Sequence, residues 1–67
     1  MNKEEAKQAL KEGKKITHEY FEKHEFVMKH PTISGYIVFE DGVAQSESNF
    51  WNLRKDNYWD KGWELFN

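Results

Sequence analysis

The chain has 67 residues, no cysteine, a formal charge of −2 and 16% aromatic residues. That length fits one domain spanning 1–67, and the missing cysteine excludes disulfides and thiolate metal sites. Residues 1–34 carry seven lysines against six acids, and residues 35–67 carry three basic against six acidic residues. This lacks both the basic excess of a dedicated nucleic-acid binder and the acidity of a DNA mimic, so direct nucleic-acid binding is disfavoured.

No run approaches the ~18 apolar residues of a membrane span. The opening stretch, MNKEEAKQALKEGKK, is charged and has no hydrophobic segment of the signal-peptide kind. The expectation is therefore a cytoplasmic protein with no membrane partner. A chain of this size buries only about 60% of its unfolded surface. Without disulfides or metal, its stability must come from dense aromatic packing and self-association.

Asn2 is a good helix N-cap, and Glu5 stands in the reciprocal position of a capping box. The predicted helix runs through Leu10 and stops at Gly13, with Ala6, Ala9 and Leu10 on one narrow apolar face. Lys3, Lys7, Lys11 and Lys14 line the edge beside that face. Such an edge is either an anion site or a solvated flank, and solubility is the commoner role of charge at helical spacing.

Strand signals follow. Lys14 to His18 reads as a short strand, and Glu19 to Lys23 as a polar turn holding Tyr20 and Phe21. His24 to His30 alternates, with Phe26 and Met28 on one face and Glu25, Val27 and Lys29 on the other. PTISG is a turn, Tyr36 to Phe39 a strand, Asp41-Gly42 a hairpin signal, and Val43 to Glu47 its returning strand. Asn49 to Lys55 is predicted as a short helix led by Ser48 or Asn49, and Trp63 to Phe66 as the closing strand. The fold class is α+β: an N-terminal helix on an antiparallel sheet of 4–5 strands, with a short helical turn before the last strand.

The segment YIVF is apolar on both faces, Tyr36 and Val38 on one, Ile37 and Phe39 on the other, with Val27 joining the second set. One short helix covers one face of a sheet. The C-terminal aromatics or a second copy of the chain must cover the other, or it stands exposed, and exposed apolar patches mark partner surfaces. A homo-oligomer is the favoured outcome.

No catalytic arrangement is legible. His18, His24 and His30 are spaced by six, no metal-ligand motif is present, and there is neither a phosphate-binding glycine loop nor a nucleophile elbow. The expectation is a protein that is not an enzyme and takes no metal or cofactor. The last 18 residues, FWNLRKDNYWDKGWELFN, interleave aromatics with cations. That mixture suits stacking, phosphate pairing or a protein hot spot. Trp51, Trp63 and Leu65 are expected in the core, and Arg54, Tyr58 and Trp59 at the surface. The candidate binding residues are Lys14, Lys15, Tyr20, Arg54, Lys55, Tyr58 and Trp59.

The order of EEAKQALKEGKKI, THEYFEKHEFV, GYIVFEDG and FWNLRKDNYWDKGWELF resembles small accessory proteins of phages and prophages. It is similar in layout to the Thoeris anti-defence proteins and to some anti-CRISPR candidates. That resemblance implies an oligomeric α+β accessory protein in the cytoplasm of a host bacterium. The Lys14-Lys15 turn, Arg54-Lys55 and the surplus aromatics suit such a protein to sequestering a small phosphorylated, nucleotide-like ligand; alternatively, the two-faced apolar strand and near-neutral charge suit it to inhibiting a host defence or replication protein by binding it.

Overall fold

Asn2 caps the first helix as its position predicts. In a computed structural model describing residues 1–67, α1 spans Lys3–Lys11, the Asn2 side chain accepts from the Glu5 N–H, and the Glu5 carboxylate accepts from the Asn2 N–H. The helix ends one residue past Leu10. Gly13, at φ 83°, lets the Lys14 N–H reach back to the Ala9 carbonyl oxygen and its own N–H to that of Leu10. Both bonds satisfy carbonyls that the helix end would otherwise strand.

Five strands follow: β1 (Ile16–His18), β2 (Val27–Lys29), β3 (Tyr36–Phe39), β4 (Ala44–Ser46) and β5 (Trp63–Leu65). They form one antiparallel sheet in the order β4-β3-β2-β1-β5. Between β4 and β5 lie α2 (Glu47–Asn52) and a single 3-10 turn, Asn57–Trp59. The predicted α+β class and the sheet of five strands are both present.

The strands other than β3 are one to three residues shorter at one or both ends than expected, and the second strand and second helix differ most. The second strand begins at Val27, because the residues before it are used in turns: Glu25 N–H donates to the Glu22 carbonyl and its carboxylate accepts from Glu22 N–H. The second helix begins earlier than predicted and is capped by Ser46, whose hydroxyl accepts from Asn49 N–H. It ends at Asn52 rather than Lys55. The 3-10 turn had no distinct signal in the sequence.

Register fixes the two faces of the sheet. Ile16 pairs with Val27 and Leu65, His18 with Trp63, Val27 with Phe39, and Lys29 with Ile37. Residues directly opposite on paired strands share a face, so Ile16, His18, Val27, Ile37, Phe39 and Trp63 face one side. The core lies there: Ala6, Ala9, Leu10, Ile16, Val27, Ile37, Phe50 and Trp63 are buried, with Phe21, Phe39, Trp51 and Trp59 packed against them. Val27 does join the Ile37 and Phe39 set, as the alternation predicts.

Two core expectations need correction. Leu65 points to the core face but is 46% exposed, standing near the end of the edge strand β5 with a neighbouring strand on one side only. Trp51 is half-buried, lying against Trp63 and Phe50, with its indole N–H donating to Glu47 at the rim.

Candidate functional site

The C-terminal aromatics converge on the N-terminal half of the chain around His18, a residue the sequence presented only as one of three isolated histidines. His18 is 3% exposed, and its ring lies 4.5 Å from Trp59, 4.7 Å from Trp63 and 5.1 Å from Tyr20, centroid to centroid. Tyr20 N–H donates to Nδ1 at 3.1 Å, and Nε2 lies 2.6 Å from the Lys61 carbonyl oxygen. One neutral tautomer meets both requirements, with the proton on Nε2. The ring thus serves as a polar pin in an aromatic box.

Four of the predicted site residues meet at this corner. Tyr20 packs edge-on to Tyr58 at 5.7 Å and to Trp59 at 5.9 Å, and the Arg54 guanidinium lies 5.0 Å from the Trp59 ring. Tyr20 and Tyr58 are more than half exposed, as a contact surface requires. The Tyr58 hydroxyl donates to Asp56 at 3.0 Å, and this bond to a nearby carboxylate raises its pKa above the ordinary tyrosine range.

Arg54 and Trp59 are less free than the sequence implied. Trp59 is half-buried against the core, and its carbonyl accepts from the Trp63 indole N–H at 2.7 Å. Arg54 lies 4.0 Å over Phe50 and 5.7 Å from Phe21, and donates to the Phe50 carbonyl at 3.1 Å. Its Nε is buried with no acceptor, and desolvation lowers the guanidinium's pKa against the opposing pull of Glu25. Arg54 therefore works as a packing cation that closes the end of α2 over the aromatic box. Its long side chain covers apolar surface while its charge is held by ring faces.

The remaining three lie elsewhere. Lys14 pairs with Glu12 at 3.1 Å, and hydrogen bonds from Gln8 and Lys14 hold the Glu12 carboxylate below its usual range. Lys15 stands 4.8 Å over the Phe26 ring on the opposite side of the sheet. Lys55 is exposed and makes no ion pair. None of the seven lines either groove in the surface.

The second face of the sheet carries no helix. Phe26, Met28 and Val38 are only half-buried on it, Phe66 stacks on Phe26 at 4.8 Å, and Tyr36 and Ala44 are exposed. Trp51, Trp59 and Trp63 all went to the helix-covered side, so the C-terminal aromatics leave this face open apart from Phe66. Charges of both signs border it, Lys15 on β1's leading end and Glu64 on β5.

No cluster of three or more histidine or acidic side chains is placed to hold a metal ion. No helix is long and apolar enough to cross a membrane. Comparison with protein-family models, with curated proteins and with solved structures found no match to this chain.

Proposed function

We propose that this protein is a non-catalytic binding protein that works as a homo-oligomer, joined through the open face of its sheet, and sequesters a small phosphorylated ligand. The observation that carries this reading is the apolar strip Phe26, Met28, Val38 and Phe66, half-covered and with no element of the chain over it. A 67-residue domain with eight buried apolar residues has a small core. Covering the strip with a second copy would add apolar burial at about 25 cal/mol per Å². Lys15 and Glu64 on the same face support a two-fold arrangement, in which one patch meets itself and opposite charges exchange across the interface. The accessory or anti-defence role implied by the sequence resemblance is the setting this proposal keeps.

A second reading, inhibition of a host protein by direct docking, is favoured by one separate feature. The exposed Tyr20–Tyr58 pair beside Trp59 and Arg54 has the composition of an interface hot spot. Native mass spectrometry of the protein purified from a bacterial host separates the readings. An oligomer retaining a small phosphorylated species supports sequestration. A monomer recovered with one stoichiometric protein partner supports docking and overturns the first reading.

A further inference from the structure

Of the two surface grooves, the more enclosed lies between α1 and the β2–β3 connection, on the side away from the tyrosine pair. It has a volume of about 330 Å³ and is lined by Lys7, Lys11 and Lys29, by Gly35 and Tyr36, and by the buried Leu10, with Glu4, Gln8 and Glu47 completing its wall. The chain builds this convergence from two distant segments. Lys7 and Lys11 stand one turn apart on α1, and Lys29 leaves β2 on the helix-covered face, opposite Ile37.

The lysines are not consumed by the neighbouring acids. Among the acids Lys7 makes only a 3.8 Å contact with the exposed Glu4, and its ammonium group also lies 5.4 Å from the Trp51 ring. Lys11 and Lys29 have no carboxylate within ion-pair distance. Glu47 already accepts from the Trp51 indole N–H. The lip of the groove is a fixed turn rather than a loose one: His30 Nδ1 accepts from the N–H groups of Thr32 and Ile33, and the Gly35 carbonyl accepts from Glu47 N–H at 2.9 Å. Gly35 holds φ 79° and its own N–H has no acceptor in the chain. Three lysines thus line one groove together with a residue whose backbone N–H has no acceptor in the chain, and a phosphate group offers several oxygens that accept from such donors.

We infer that this groove is the ligand site and that it takes the phosphate of a small phosphate ester through Lys7, Lys11, Lys29 and the Gly35 N–H. The inference rests on the sequestration reading and relocates its anion site from Lys14, Lys15, Arg54 and Lys55, which line no groove. Leu10 forms the buried floor of the groove, and the Gly35–Tyr36 segment forms its edge.

The test is a two-dimensional amide NMR titration of the full chain with inorganic phosphate and, separately, with adenosine 5′-monophosphate. Saturable shifts are expected at Lys11, Lys29, Gly35 and Tyr36, with tighter binding of the nucleotide if the ester's organic part is held. Lys11→Gln and Lys29→Gln each remove one exposed cation and leave the core intact. Each is expected to weaken binding about tenfold, the loss of one charge-assisted hydrogen bond. Shifts that rise linearly without saturating, or saturable binding that both variants leave unchanged, would overturn the assignment. Self-association through the sheet face is read independently from the Phe26 and Val38 signals, so its failure and that of the groove are distinguishable.

Discussion

His18 Nε2 donates to the carbonyl oxygen of Lys61 across 2.6 Å, and so ties the end of β1 to the loop that leads into β5. The bond is long-range in sequence and partly buried. The same ring accepts from Tyr20 N–H, which sets the course of the chain toward the exposed tyrosine pair. Replacing His18 with alanine leaves a cavity and two unpaired backbone groups. We expect a loss of about 2–4 kcal/mol in urea denaturation. Two-dimensional ¹⁵N correlation of the imidazole at neutral pH should show the proton on Nε2; a proton on Nδ1 would contradict the assignment.

Arg54 makes a contrasting prediction, because its value here is as packing surface. Arg54→Met keeps a long apolar stem against Phe50 and Trp59 and removes the buried Nε that has no acceptor. Its stability is expected within about 0.5 kcal/mol of the parent. Arg54→Ala strips the cover and is expected to cost about 1–2 kcal/mol. Thermal denaturation of the two variants side by side checks this. Equal losses would mean that the charge, rather than the stem, is what the site uses.

Tyr58 gives a pH-dependent signal. Its hydroxyl donates to Asp56, and the raised pKa means the neutral phenol is the favoured form in the folded chain. This contribution is present at neutral pH and is lost as pH rises through the tyrosine's titration. Following phenolate absorbance, Asp56→Asn should move one of the three tyrosines to an earlier transition. Unchanged titration curves would show that the pair does not persist in solution.

Much of the framework was legible because local rules decided it. The Asn2 and Glu5 capping box, the Gly13 stop, the Asp41-Gly42 hairpin and the two-faced YIVF strand each act over a few residues, and each appears in place. Leu65 was misread because its exposure depends on sheet order: β5 joins beside β1 at the edge, a pairing across most of the chain that no local pattern encodes. His18 and Lys29 were missed for the same reason. The box around His18 needs Trp59 and Trp63 brought back from the C-terminus, and the groove needs β2 laid beside α1. Identical lysine spacing on α1 would mean nothing without Lys29 across from it.

The capping box itself has a measurable share. Asn2→Ala removes the acceptor for Glu5 N–H and is expected to cost about 1 kcal/mol. The effect extends beyond the helix, because Met1 and Lys3, on either side of the cap, hold the Trp63 backbone and the Asp60 carbonyl. Hydrogen exchange should therefore quicken at Trp63 as well as in the first turn of α1.

The central claim is that the open sheet face joins copies of this chain. Sedimentation equilibrium of the parent and of Val38→Lys, over a wide range of concentration, tests it most directly. Val38 is only half-buried, so the substitution places a charge on the face without entering the core. The account predicts a parent that associates with concentration and a variant that is monomeric with an unchanged circular dichroism spectrum. A parent that remains monomeric throughout, or a variant that associates as the parent does, would contradict it.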